Sequence, residues 1–126
     1  MSHYDGWVGV DLDGTLAVYD HWRGPTHIGA PIPKMLERVK GWLAEGKDVR
    51  IFTARVYAPK EPVTDPAVLR RQNEAVAALI AIRAWCEEHI GKVLPITCTK
   101  DYGMVVLYDD RCRQVEQNTG RVIGEE

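Results

Sequence analysis

The chain has 126 residues, enough for one domain with a single core and too few for two. Hydrophobic residues make up 45% and charged residues 27%, the proportions of an ordinary soluble globular protein. A net charge of -2 with Lys and Arg scattered along the chain excludes the broad basic surface that drives non-specific nucleic-acid binding, so a nucleic-acid partner is neither demanded nor forbidden.

The polar start MSHYDG does not read as a secretory signal, and no apolar run approaches the roughly 18 residues of a membrane span. A cytoplasmic protein without membrane contact is expected. Cys86, Cys98 and Cys112 are odd in number and lack CxxC spacing, which suits reduced thiols. Cys86 and His89 would supply half a zinc site at most, because no second pair completes a tetrahedral set.

Taken in order, Trp7 to Leu12 is an apolar run of strand length. A Gly- and Pro-rich loop follows. Lys34 to Glu45 carries Met35, Leu36, Val39, Trp42 and Leu43 at helical spacing, with Pro33 suited to the first turn and Gly46 to the stop. Val49 to Thr53 reads as a second strand. The proline-rich stretch 57–66 is a loop that ends in Asp65 and Pro66, a cap and a first-turn proline for a long helix over Ala67 to Ile90. Leu69, Val76, Leu79, Ile80, Cys86 and Ile90 are its expected buried stripe, and Arg70, Arg71, Glu74 and Glu87 its solvated face. Val93 to Thr97 and Met104 to Tyr108 are further strands, and RQVEQNTGRVI reads as a small hairpin turning at Asn-Thr-Gly. Apolar strands alternating with helices predict an α/β, three-layer, Rossmann-like domain around a mainly parallel sheet, with residues 1–126 as a single unit.

In such sheets ligands sit beyond the carboxyl ends of the strands. The first strand ends in Asp11 and Asp13, the second in Thr53 followed by Ala54 and Arg55, and MVVLY in Asp109 and Asp110. Carboxylates gathered at one edge raise each other's pKa unless a cation neutralises them, and Mg²⁺ suits a few carboxylates with water and phosphate oxygen. Residues two apart in an extended segment point to the same side, so Asp11 and Asp13 can address one substrate, one attacking while the other handles protons. Gly14 permits a sharp turn beside a ligand, and Thr15 adds a hydroxyl and an amide there.

DLDGT, a hydrophobic strand ending in Thr53, Lys100 and LYDD resemble, in that order, the four motifs of the haloacid dehalogenase (HAD) superfamily of Mg²⁺-dependent phosphohydrolases. The resemblance implies a nucleophile at Asp11 that forms an aspartyl-phosphate, and an acid and base at Asp13. It gives Thr53 the phosphoryl oxygens, with Gly14, Thr15 and Ala54 beside the substrate; Arg55, two residues past Thr53, is expected either to reach a substrate phosphate or to pair with a fourth-motif carboxylate. Lys100 would neutralise the phosphoryl group. Mg²⁺ would be held by Asp11, the backbone carbonyl of Asp13, and Asp109 with or without Asp110.

Neither family insertion point is long enough for a cap domain, so a capless, open site is expected. An open site admits a small phosphorylated molecule or a phosphate on a large partner such as a polynucleotide end. In the loop after DLDGT, Tyr19, His21, Trp22, Arg23 and His27 flank the site, with packing of Trp22 against its own loop as the default. Arg111 can pair with the acidic cluster. The alternatives to a phosphatase are a phosphotransferase and an idle module of the same fold that binds a phosphorylated partner.

One feature departs from the family pattern. Only Asp101, Tyr102 and Gly103 separate Lys100 from MVVLY, where a crossover helix is expected. If the two last strands flank the sheet, the link spans a diagonal of about 22 Å, and roughly seven extended steps reach about 23 to 25 Å. Either a helix is missing from that face or 93–97 is not a regular strand.

Overall fold

A computed structural model describes residues 6–125, so the polar start at 1–5 lies outside the described residues. Four strands, β1 (Trp7–Asp11), β2 (Asp48–Phe52), β3 (Ile96–Thr97) and β4 (Met104–Tyr108), form one all-parallel sheet in the order β3-β2-β1-β4. Two helices, α1 (Pro33–Ala44) and α2 (Pro66–His89), cross between β1 and β2 and between β2 and β3. No helix among the described residues is long and apolar enough to cross a membrane.

Local sequence explains the element ends. Pro33 opens α1, and Gly46 follows its end at φ 82°. Asp65 caps α2 by accepting a hydrogen bond from the Ala67 amide, with Pro66 in the first turn. At the C-terminus the chain reverses through Asn118, at φ 68°, and a single antiparallel bridge joins Val115 to Val122. The expected hairpin is therefore a bridged turn rather than a pair of strands.

Both crossovers run in the same direction along the sheet, so the right-handed rule puts both helices on one face. That face holds the core: Val8, Val10, Val49 and Ile51 of the strands pack with Met35 and Val39 of α1 and with Ile82, Trp85 and Cys86 of α2. The buried face of α2 differs from the expected stripe. It consists of Val68, Ala75, Ala78, Ile82, Trp85 and Cys86, while Leu69, Val76, Leu79 and Ile80 are exposed. The small side chains of Ala75 and Ala78 have weak hydropathy signals but let the helix lie close to its neighbours, and close packing decides the face. Cys86 is fully buried in this core.

The opposite face carries no helix among the described residues; a third, helical layer is not built there. Instead residues 98–103 run from the end of β3 to the start of β4. Only Ile96 and Thr97 pair with β2, level with Ile51 and Phe52, so the link leaves from the top of a very short strand. It descends about four residues, to the level of Trp7 and Met104, while crossing about 14 Å, a diagonal of about 19 Å that roughly seven steps cover with slack. Trp7 fastens it: Nε1 donates to Asp101 Oδ1 at 2.8 Å, and the Trp7 amide donates to the Gly103 carbonyl at 2.8 Å. Arg50 stacks on the same indole, its Cζ 4.8 Å from the ring centre.

The link lies so close to Gly6 that a Cβ there would fall 2.0 Å from the Gly103 carbonyl oxygen, which is backbone and cannot swing away. Gly6→Ala is accordingly expected to destabilise the protein by about 2 to 3 kcal/mol in urea unfolding, with an unchanged denaturant slope.

Candidate active site

The strand order sets the site. β1 lies between β2 and β4, so the residues that follow β2 and β4 flank those that end β1. Asp11 closes β1. Beyond it the amides of Thr15, Leu16 and Ala17 all donate to the Leu12 carbonyl, and the Gly14 amide donates back to Ala17. This tight turn favours Gly14: its φ is 88°, and a Cβ would lie 2.6 Å from an Asp110 carboxylate oxygen, which would have to shift.

One carboxylate oxygen each from Asp11, Asp109 and Asp110 lies within 4.8 Å of the others. Thr15 pins this group. Its hydroxyl lies 3.1 Å from Asp110 Oδ1 and 3.4 Å from Asp11 Oδ2, and accepts the Asp110 amide at 3.0 Å. Among the described residues no Lys or Arg side chain forms an ion pair with any of the three acids. The consequence falls on Asp11, whose pKa is pushed from 3.8 up to about 8. Burial is the largest cause, followed by the hydrogen bond with Asp110 and the charges of Asp109, Asp110 and Asp13. Three carboxylate oxygens are a hard donor set that fits Mg²⁺, Mn²⁺ or Ca²⁺ better than a thiophilic metal.

Asp13 is held separately. Arg55, 6% exposed, donates through Nε and Nη2 to both Asp13 oxygens at 2.8 and 2.9 Å. Its remaining nitrogen, Nη1, reaches the carbonyls of Gly24 and Pro25 at 3.3 and 3.0 Å. Arg55 thus ties the Asp13 side chain to the loop over residues 18–30. That loop is closed at its base by the Val18 amide on the Ala30 carbonyl and by the Ile32 amide on Leu16. From α2, Trp85 Nε1 adds a bond to the Gly29 carbonyl at 2.9 Å.

Thr53 is buried, and its hydroxyl accepts the Arg55 amide at 3.2 Å, capping the short 3₁₀ turn over Ala54–Val56. The hydroxyl proton stays available to an oxygen in the cleft. Asp11, Asp13, Thr53, Ala54, Arg55 and Asp110 line a common cleft of about 600 Å³. Gly14, Thr15 and Asp109 line a neighbouring depression beside α1 that shares Asp110 with the cleft.

Lys100 is not brought there. It is exposed on the link and is not among the residues lining the cleft. The buried cation of the site is Arg55 instead. Arg71 and Glu74, expected on the solvated face of α2, also line the cleft, and Arg71 Nη2 donates to the Ala54 and Arg55 carbonyls at 3.2 and 2.9 Å. Their positions follow from the rotated buried face of α2, and a helix face shifted by about one residue in the hydrophobic pattern would have revealed them. Tyr19, Trp22 and Arg111 complete the walls.

The molecule is therefore a parallel α/β protein with an acidic cleft at the carboxyl edge of its sheet. Comparison with protein families, curated proteins and solved structures gave no match.

Proposed function

We propose that the protein is a capless, Mg²⁺-dependent phosphomonoesterase of the HAD type, working through an aspartyl-phosphate on Asp11. The observation that carries this reading is the division of labour among the acids: Asp11, Asp109 and Asp110 converge within 4.8 Å, while Asp13 is paired with Arg55. The HAD-like reading of the sheet belongs to the same proposal, with residues 98–103 standing where the family places a helix.

Asp11, Asp109 and Asp110 would hold the Mg²⁺, which supplies positive charge for the phosphoryl oxygens and for the carboxylates themselves. In the first step an Asp11 oxygen attacks phosphorus, the ester P–O bond breaks, and Asp13 delivers a proton to the departing oxygen. In the second, Asp13 takes a proton from water, the water oxygen attacks phosphorus, and the P–O bond to Asp11 breaks to release phosphate. Thr53 donates to a phosphoryl oxygen, and Arg55 holds Asp13 in one orientation. Transfer to an alcohol in place of water would make the same chemistry a phosphotransferase. The substrate is a phosphorylated small molecule or a phosphate on a macromolecular end.

Release of phosphate from an aryl phosphate with Mg²⁺, measured for the parent protein and for Asp11→Asn, tests the proposal; metal-dependent release that survives the substitution would sink it. The acid role of Asp13 makes a finer demand. Arg55 N–H groups engage one lone pair on each Asp13 oxygen, so the transferred proton must use a remaining lone pair of one of them. Asp13→Asn is expected to slow alkyl phosphates by about 10² to 10⁴, and aryl phosphates, whose leaving group needs no proton, clearly less in the first step.

One observation favours a second reading, phosphate binding without turnover: the lysine expected at the phosphoryl group is exposed on the link and lines no part of the cleft. Saturable, Mg²⁺-dependent binding of phosphate esters with no release across a broad panel would support it.

A further inference from the structure

Trp22 is half exposed, at 50%, yet its loop is tied from two directions. Its neighbours in sequence both turn to Asp20. The His21 amide donates to Oδ1 at 2.7 Å, and Arg23 Nη2 donates to Oδ2 at 2.8 Å. Arg23 Nε also donates to His21 Nε2 at 3.2 Å. From below, Arg55 holds the Gly24 and Pro25 carbonyls and sets its Cζ 4.8 Å from the centre of the Trp22 ring. The indole is therefore fixed against a buried guanidinium that is itself fixed to Asp13. Trp22 and the half-exposed Tyr19 stand in the same cleft wall as the acids.

A planar ring anchored on one side by a cation and left open to solvent in a cleft wall is suited to stacking. A rigid platform of this kind loses little entropy on binding, and any flat π-system is accepted. The placement is also favourable: Trp22 touches Arg55, Arg55 touches the Asp13 proposed to serve the leaving-group oxygen, and all three line one cleft.

We propose that Trp22 is a stacking platform for a planar aromatic ring in the leaving group, so that the preferred substrates are phosphomonoesters of aromatic character; this rests on the phosphomonoesterase reading. An aryl ring and a nucleobase share this chemistry. If Trp22 served only to shield Arg55 from water, replacing it would alter stability without altering the choice of ligand.

The test uses phosphonates, which bind without being hydrolysed. Calorimetric titration with Mg²⁺ compares benzylphosphonate, its saturated counterpart cyclohexylmethylphosphonate and a nucleoside 5′-phosphonate, on the parent protein, Trp22→Phe and Trp22→Leu. Leu keeps an apolar cover on Arg55 but has no π face. The aromatic probes are expected to bind the parent about tenfold more tightly than the saturated one. The preference should persist largely in Trp22→Phe and fall to near unity in Trp22→Leu. The tighter of the two aromatic probes identifies the source of the ring.

A ratio near one on the parent overturns the proposal, as does an unchanged ratio in Trp22→Leu. If Trp22→Leu fails to fold, as judged by circular dichroism, the ratio on the parent still decides. An aromatic preference in a protein that turns over no phosphomonoester supports the ring site and removes the hydrolase reading. Turnover with a ratio near one does the reverse, and binding of none of the probes overturns both.

Discussion

Asp11→Asn is expected to lower phosphate release by at least about a thousandfold and, in the same preparation, to raise the melting temperature of the metal-free protein at alkaline pH. The two effects have one origin. The carboxylate proposed as nucleophile stands where burial and neighbouring acids oppose its ionisation, and its pKa is pushed up to about 8 against 3.8 for the free side chain. Below pH 3.8 the carboxyl is neutral in both folded and unfolded chains, and the folded state keeps its full stability. As pH rises toward about 8 the unfolded chain releases a proton that the folded chain retains, so stability falls, and it levels off above that value. Asn carries no such proton. The gain from the substitution should therefore be absent near pH 4 and reach roughly 5 °C at about pH 8.5, a figure discounted for the partial exposure of the site. Millimolar Mg²⁺ should stabilise the parent more than Asp11→Asn, because the cation answers the same charge. Melting curves across pH, with and without metal, check each part; a parent that gains stability with rising pH would contradict the argument.

The second large effect belongs to Arg55. Arg55→Leu should lower the melting temperature by about 10 to 20 °C, corresponding to about 3 to 5 kcal/mol for breaking a buried ion pair. Three losses coincide in that substitution. Asp13 loses a bidentate partner, the loop over 18–30 loses its anchor at Gly24 and Pro25, and Trp22 loses the cation beneath it. Lysine cannot restore them together, because an ammonium lacks the planar fork that serves Asp13 and the loop at once. Adding Asp13→Asn to Arg55→Leu should recover part of the stability, since the double variant leaves no uncompensated carboxylate. Strict additivity of the two substitutions in denaturant unfolding would show that the pair is not coupled. Activity separates the roles further: Arg55→Lys should reduce kcat more than it raises KM, if Arg55 acts through Asp13 as proposed.

Elements with strong local signals were legible without coordinates. The Asp65-Pro66 cap, Pro33, Gly46 and the apolar strands all act through contacts between near neighbours in the chain. The α/β class and parallel sheet followed from the alternation of those elements. The buried face of α2 was not legible, because the helix carries apolar residues on several sides and its small alanines, rather than Leu69 or Ile80, meet the core. That misreading also concealed Arg71 and Glu74 in the cleft wall. For Lys100 the sequence offered a position in a motif, but the route of the link decides where a side chain stands, and the link follows Trp7 and Gly103 across the open face.

The sequence by itself determined that acids would gather at the carboxyl edge of a parallel sheet, because strand ends, turn glycines and the two-residue spacing of Asp11 and Asp13 are local properties. Only the tertiary structure decided which acid answers to which partner. Arg55 reaches Asp13 across 42 residues of chain, and Thr15 reaches Asp110 across 95. Those pairings depend on β1 lying between β2 and β4, an order that goes with the packing of both helices on one face and with a link just long enough to cross the other.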